Sequence, residues 1–168
     1  MQYLNLNFTR QLSWVFFIAL LLTACGFQLR GSAPLSFTKL NLQGAELSIK
    51  KDLKLALEVN GVKIVSQAED AEMLLELMNE TSEKRILSLS GRGLVREFEL
   101  YYSVNFRTRA QSSPLWGKVQ TIQIRRDFSY NDNALLGKAE EEAGLNLDMR
   151  KDAVRAILRR LSATNSEK

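Results

Sequence analysis

Residues 94–109, LVREFELYYSVNFRTR, decide the fold because apolar and polar side chains alternate along them. One set of alternate positions is apolar and comprises Leu94, Phe98, Leu100, Tyr102, Val104 and Phe106. The other set is polar and comprises Glu97, Glu99, Ser103, Asn105, Arg107 and Arg109. A period of two residues indicates a strand whose two faces meet different surroundings. We therefore predict a long strand in a sheet that buries one face and exposes the other.

Two further strands flank this one in the sequence. The preceding segment has apolar residues in one phase on either side of a polar middle, and these are Met73, Leu75, Leu77, Leu87 and Leu89. One long strand or two short ones fits that pattern. In residues 115–128, Leu115 and Val119 follow a different phase from Ile122, Ile124 and Phe128, and a β-bulge near Gln120 would reconcile the two. Turn signals at residues 90–93 and 111–114 separate the strands, so we expect antiparallel pairing over residues 71–128.

The N-terminal part of the domain is predicted to form a strand, a helix and a second strand. Residues 37–43 alternate as a strand does, Ser48 is a candidate helix N-cap, and Asn60-Gly61 is a stop signal before a short strand at 62–65. Leu53, Ala56 and Leu57 would form the apolar face of the helix. This order favours a right-handed crossover that joins two parallel strands.

A second, longer helix is predicted after residues 131–133. Its apolar stripe comprises Leu136, Ala139, Ala143, Leu147, Val154, Leu158 and Leu161. We expect this stripe to pack on the sheet face that carries Phe98. The predicted fold class is α+β, with two helices on one face of a mostly antiparallel four- to five-stranded sheet and an N-terminal β-α-β unit. Residues 37–162 would form a single domain, and residues 163–168 a flexible tail.

The N-terminus resembles a bacterial lipoprotein signal. Residues 1–11 carry Arg10, residues 12–22 form a largely apolar run, and Leu22-Thr23-Ala24-Cys25 resembles a lipobox. This run of eleven residues, all apolar except Ser13, is too short for a transmembrane helix, which needs about 20. We predict that residues 1–24 are removed, that Cys25 is lipidated, and that residues 25–36 form a tether. Gly26 after the cysteine points to the periplasmic side of the outer membrane.

Composition excludes most enzyme classes and nucleic-acid binding. The chain has no histidine and a single cysteine, Cys25, so the usual zinc ligands, general base and catalytic triads are missing. Glu140, Glu141 and Glu142 could suggest carboxylate chemistry, but consecutive acidic residues early in a helix are explained by its dipole. After removal of residues 1–24, 22 basic and 19 acidic residues remain, and the two signs are interleaved. We expect no enzyme activity, no cofactor and no metal site.

Four short motifs, in this order and spacing, resemble the LPS-assembly lipoprotein LptE family. They are Ala24-Cys25-Gly26-Phe27-Gln28-Leu29-Arg30; Leu57 with Asn60, Gly61 and Val62; Ser103-Val104-Asn105; and Asn131 followed by Ala134-Leu135-Leu136 and Lys138. The resemblance covers most of the mature chain. It implies a lipoprotein that partners the outer-membrane barrel LptD, assists the assembly of that barrel, and binds lipopolysaccharide during its delivery to the cell surface.

The resemblance also raises two basic residues to candidate lipopolysaccharide-binding positions. Arg92 lies in the predicted hairpin turn and Lys138 near the start of the second helix, where family members carry basic residues. Phosphates and carboxylates of lipopolysaccharide would attract such cations. An alternative is an interaction lipoprotein of a different envelope-assembly complex that does not bind lipopolysaccharide.

Overall fold

A computed structural model describes residues 35–130 and 135–163. Its elements are β1 (Lys39–Gly44), α1 (Ile49–Val59), β2 (Lys63–Ile64), a single helical turn (Ala68–Asp70), β3 (Met73–Leu89), β4 (Val95–Ala110), β5 (Gln120–Ser129) and α2 (Leu135–Ala163). The expected signal segment with Cys25, the expected cap at residues 131–133 and residues 164–168 lie outside the described residues. The α+β class is confirmed.

The five strands form one mixed sheet in the order β2-β1-β3-β4-β5. β1 pairs in parallel with both β2 and β3, whereas β3-β4 and β4-β5 are antiparallel. The parallel β1-α1-β2 unit is confirmed. The sheet is less antiparallel than expected, because β1 also joins β3 in parallel.

The core lies between the two helices and one face of the sheet. Its fully buried side chains include Leu40 of β1, Leu53 of α1, Leu75 of β3, Phe106 of β4 and Ile157 of α2. Burial of each such side chain contributes about 1.5–3 kcal/mol to stability. The apolar set predicted for β4 is buried from Leu100 to Phe106, and Phe98 packs against the core as a partly buried residue.

β3 is one continuous strand, but its expected apolar phase is wrong. The pairing with β4 shifts between Leu77 and Asn79, so Met78 is an extra residue in the strand. A β-bulge of this kind moves the side chains that follow it to the opposite face, until a second shift between Ile86 and Ser88 makes Leu87 another extra residue. Leu77 is the last buried residue of β3, and Leu87 and Leu89, which lie beyond these register shifts, are exposed.

The β-bulge expected near Gln120 is also wrong. Pairing between β4 and β5 is unbroken from Phe106 with Gln120 to Glu97 with Ser129. Leu115 and Val119 precede the strand, in the β4-β5 loop, and both are exposed. Two phases appear in the sequence because a loop and a strand adjoin there.

Ser48 precedes α1 as expected, but its hydroxyl makes no capping hydrogen bond to the helix. It donates instead to Glu80 Oε1 on β3 at 2.6 Å, while Glu80 Oε2 accepts the backbone N–H of Ile49 at 3.3 Å. A carboxylate distant in sequence therefore caps α1.

The predicted stripe of α2 is only partly buried. Val154 and Leu161 are in the core and Leu158 packs against it, but Leu136, Ala139, Ala143 and Leu147 are exposed. Met149, Ala153 and Ile157 supply the rest of the buried face. The first half of α2 is exposed because α1 is short and does not reach it. Arg150 contacts Ser48 and Asp52 at the start of α1, so α2 has no helical neighbour before that point.

Candidate functional site

Arg92 lies at the tip of the β3-β4 hairpin. The turn is closed by hydrogen bonds from Ser90 N–H to Leu94 O at 2.7 Å and from Leu94 N–H to Ser90 Oγ at 3.1 Å. Gly93 has φ +77°, a left-handed conformation that favours glycine. Arg92 is exposed and has no hydrogen-bond or ion-pair partner within residues 35–130 and 135–163. Its guanidinium is therefore available to a ligand.

Lys138 has a different environment from Arg92. It lies in the first turn of α2, and its side chain is half-buried. The ammonium Nζ is 2.7 Å from Glu141 Oε2 and donates to Ser129 Oγ at 3.3 Å. Part of its charge is thus already balanced, and one of its contacts fixes the start of α2 to the end of β5.

The two residues lie at the same end of the sheet without contacting each other directly. We call this the hairpin end. A cleft of about 640 Å³ crosses it and is lined by Ser88, Leu89, Arg96, Glu97, Ser129 and Tyr130. Leu89 adjoins the turn that carries Arg92, and Ser129 contacts Lys138. The cleft therefore lies between the two predicted residues.

Exposed apolar side chains surround the same turn. They are Ile86, Leu87, Leu89 and Leu94. Arg96 is exposed beside them and, like Arg92, has no acidic partner in the described parts of the chain. The sequence predicts Leu87, Leu89 and Leu94 on buried faces, but all three are exposed, because they lie at the end of the hairpin beyond the buried part of β3 and β4.

A lysine and three aromatic rings connect α2 to the sheet near this end. The Lys84 ammonium lies 4.2 Å from the centroid of the Phe98 ring, 5.5 Å from that of Phe128 and 5.9 Å from that of Tyr130. It also pairs with Glu142 of α2 at 2.6 Å. Cation–π and ionic contacts thus replace apolar packing where the core ends. No single sequence motif indicates this cluster, since its members come from four elements.

The outer face of the sheet, opposite the helices, is polar and charged, as the alternation of β4 predicts. Arg107 pairs with Glu76, and Asn105 Nδ2 donates to Asn79 Oδ1 at 2.8 Å. Tyr101 lies between two guanidinium groups, with Arg85 Cζ 4.8 Å and Arg125 Cζ 5.6 Å from its ring centroid. A hydrogen bond from Arg85 to Glu83 raises the pKa of Arg85 further above its ordinary value.

Two features of the described residues concern metal binding and membrane crossing. Residues 35–130 and 135–163 contain no cluster of three or more acidic, histidine or cysteine residues suited to a metal ion. Neither α1 nor α2 combines the length and the apolar character that crossing a bilayer requires.

Comparisons with known proteins agree on one family. A sequence model described as LptE, lipopolysaccharide-assembly, matches residues 35–161. LPS-assembly lipoprotein LptE of Photorhabdus laumondii is 31% identical over 159 residues, which are 90% of this chain and 85% of that protein. Among solved structures, lipoprotein B of Nitrosomonas europaea has a TM-score of 0.74 at 39% identity, covering 84% of this chain and 94% of its own. Rare lipoprotein B of Shewanella oneidensis has a TM-score of 0.69 at 30% identity, with 76% and 96% covered. The chain belongs to the LptE family of lipopolysaccharide-assembly lipoproteins.

Proposed function

We propose that this protein is an outer-membrane lipoprotein, anchored on the periplasmic side through Cys25, that partners the LptD barrel, assists its assembly and binds lipopolysaccharide. Family membership supports a role in lipopolysaccharide assembly and identifies a non-enzymatic envelope lipoprotein. The finer statements rest on the lipobox-like Leu22-Thr23-Ala24-Cys25 and on the chemistry of the hairpin end.

The exposed guanidinium of Arg92 beside a cleft and apolar side chains is the observation that carries lipopolysaccharide binding. Lipopolysaccharide combines anionic groups with acyl chains. An unpaired arginine recognises phosphate and carboxylate oxygens well, because its planar group donates several hydrogen bonds. Lys138 adds a second cation on the other side of the cleft, although Glu141 partly balances it.

The polar outer face of the sheet supports the barrel partnership. Its charged and amide side chains on β3, β4 and β5 suit the polar interior of a large β-barrel. Arg107, Arg109, Arg125 and Arg126 would be the next candidates for lipopolysaccharide contact if the hairpin end did not bind.

Lipopolysaccharide binding is tested by reversing both charges, Arg92→Glu with Lys138→Glu, in the mature domain. We expect binding at low salt to fall while the circular dichroism melt changes little, because Arg92 is exposed and Lys138 contributes one i,i+3 ion pair and one long hydrogen bond. Lys54→Glu with Lys63→Glu is a matched control, since both lysines are exposed and lie away from the hairpin end. Equal affinity of all three proteins would reject the proposed site.

The partner and the anchor need separate measurements. Purification of the tagged lipoprotein from outer membranes should recover the LptD barrel, for wild type and for the charge-reversed variant. Recovery of a different complex without lipopolysaccharide binding would favour the alternative interaction lipoprotein. Cys25→Ala should abolish fatty-acid labelling, because the thiol is the acceptor of the first lipid.

A further inference from the structure

The end of the sheet opposite the hairpin presents exposed apolar side chains on the β4-β5 loop, residues 111–119. Leu115 is 76% exposed and Val119 is 51% exposed. The loop is held to β4 by hydrogen bonds from Ser113 N–H to Ala110 O at 3.0 Å and from Gly117 N–H to Thr108 O at 2.9 Å. These two side chains therefore face solvent on a loop whose backbone is fastened to the sheet.

Trp116 lies between them and is half-buried on the outer face of the sheet. Its ring centroid is 4.7 Å from Arg107 Cζ and 5.4 Å from Arg109 Cζ. The two guanidinium groups hold the indole in place through cation–π contacts. Trp116 thus fixes the loop against the sheet, while Leu115 and Val119 are exposed on either side of it.

The described chain begins at this same end, which we call the tether end. Leu35 packs against the core, and Phe37 is buried. Thr38 donates its N–H and its hydroxyl to the Glu72 carboxylate, both at 2.8 Å, and Glu72 O accepts the N–H of Gln111 at 3.0 Å. The hydrogen bond from Thr38 N–H is the main reason that the pKa of Glu72 is lowered. Glu72 therefore joins the start of β1 to the start of the loop.

The number of residues before Leu35 limits how far this end can stand from a lipid anchor. Leu35 lies ten residues after Cys25, and a fully extended chain of that length spans at most about 35 Å. β3, with 17 residues, is about 55 Å long at the rise of a strand. An anchor at Cys25 would therefore keep the tether end close to the bilayer, with the hairpin end far along the sheet.

We propose that Leu115 and Val119 contact the phospholipid bilayer beside the anchor and form a second, apolar attachment to the membrane. This inference rests on the proposed lipidation of Cys25. Tryptophan and aliphatic side chains are suited to the boundary between headgroups and acyl chains. Charges at the tether end nearly balance, since five basic residues lie there with four acidic ones: Lys39, Lys63, Arg107, Arg109 and Lys118, and Glu69, Asp70, Glu72 and Glu76. The contact should consequently depend little on salt.

Trp116 is the reporter for the test. The chain has two tryptophans, Trp14 and Trp116, and Trp14 lies in the predicted signal segment, so the mature lipoprotein fluoresces from Trp116. We would reconstitute the mature lipoprotein into vesicles of phosphatidylethanolamine and phosphatidylglycerol whose acyl chains carry bromine. Bromine quenches tryptophan only at short range. We expect marked quenching in wild type at both low and high salt.

The variant Leu115→Ser with Val119→Ser should lose most of this quenching. Leu136→Ser with Leu147→Ser is the matched control, because Leu136 is 86% and Leu147 is 44% exposed on the first half of α2, away from the tether end. Its quenching should equal that of wild type. Circular dichroism would verify that both variants fold, as expected for substitutions at exposed positions.

Flotation of the same vesicles separates the two proposals. Flotation with strong quenching that the loop variant removes supports the inference. Flotation without quenching, or with quenching unaffected by the loop variant, would leave the anchor standing and overturn the membrane contact; the loop would then face water or a partner protein. Failure of the wild-type protein to float would reject the lipid anchor and the contact that depends on it.

Discussion

Glu80 on β3 joins three elements of the fold, and its removal should measurably destabilise the protein. Its carboxylate accepts the phenol of Tyr102 at 2.7 Å, the hydroxyl of Ser48 at 2.6 Å and the N–H of Ile49 at 3.3 Å. Burial raises the pKa of Glu80, but these hydrogen bonds outweigh burial and lower it below its ordinary value of 4.5. Burial, followed by the hydrogen bond to Glu80, raises the pKa of Tyr102 well above its usual range.

We expect Glu80→Ala to reduce the free energy of unfolding by about 3 kcal/mol. Most of this comes from Tyr102, whose buried phenol would lose a charged acceptor, a change that costs roughly 1.5–3 kcal/mol. Loss of the cap on Ile49 adds about 1 kcal/mol. The bond to Ser48 adds little, because it is exposed to solvent.

Urea unfolding of Glu80→Ala, Tyr102→Phe and the double variant would measure the coupling between the two groups. We expect a coupling free energy of about 1–2 kcal/mol, since each side chain satisfies the other. Glu83→Ala is the matched control on the same strand; Glu83 pairs with Arg85 at the surface, so its removal should cost less than about 0.5 kcal/mol. Additive effects of the two substitutions would refute the role assigned to this network.

The same network predicts a dependence on pH. Because the pKa of Glu80 is lower in the folded protein than in the unfolded chain, its contribution to stability is complete well above pH 4.5. It should decline as the pH falls through the folded-state pKa. Wild type should therefore lose more stability on acidification than Glu80→Ala does, and identical pH profiles would contradict this reasoning.

Two further predictions test the packing. Gly44→Ala should destabilise the domain severely, because φ is +97° and the added Cβ would lie 2.1 Å from Leu77 O. Gly61 has a similar φ of +83° but open space around it, so Gly61→Ala should reduce stability by only about 1–2 kcal/mol. Equal melting temperatures for the two variants would contradict this prediction. Ile157→Asp should unfold the domain, since it buries an unpaired charge. Leu136→Asp should leave the melting temperature near wild type, because Leu136 is 86% exposed. A large fall in the melting temperature of Leu136→Asp would mean that the start of α2 is packed.

The buried face of a strand could be predicted from sequence where a neighbouring strand lies along its whole length. The alternation of β4 identified Leu100, Tyr102, Val104 and Phe106 as one buried face, because both flanking strands continue past these residues. The glycine-containing turn placed Arg92 at a hairpin tip for the same local reason. Local periodicity was sufficient wherever a partner strand or helix lay alongside.

The errors have a common physical cause, which is that periodicity does not reveal whether a neighbour exists. Leu136 and Leu147 continue the helical phase of Val154 and Leu161, yet α1 begins too late to cover them. The bulge at Met78 depends on register with β4, which no short window of β3 contains. The contacts of Lys138 with Ser129 and of Lys84 with Phe98 and Glu142 could not be predicted, because these partners lie on other elements. The pair of Lys138 with Glu141 follows a local i,i+3 spacing that the sequence does contain.

One proposed contact is electrostatic and the other is apolar, so their different dependence on salt allows both to be tested on one protein sample. Binding at the hairpin end depends on Arg92 and Lys138, and Arg92 has no acidic partner in the described parts of the chain. It should weaken with salt, because the Debye length falls from about 10 Å at 0.1 M to about 3 Å at 1 M. Contact at the tether end depends on Leu115 and Val119 and should resist salt. The two ends lie on the order of 50 Å apart along β3, so substitutions at one end should leave the other contact unchanged.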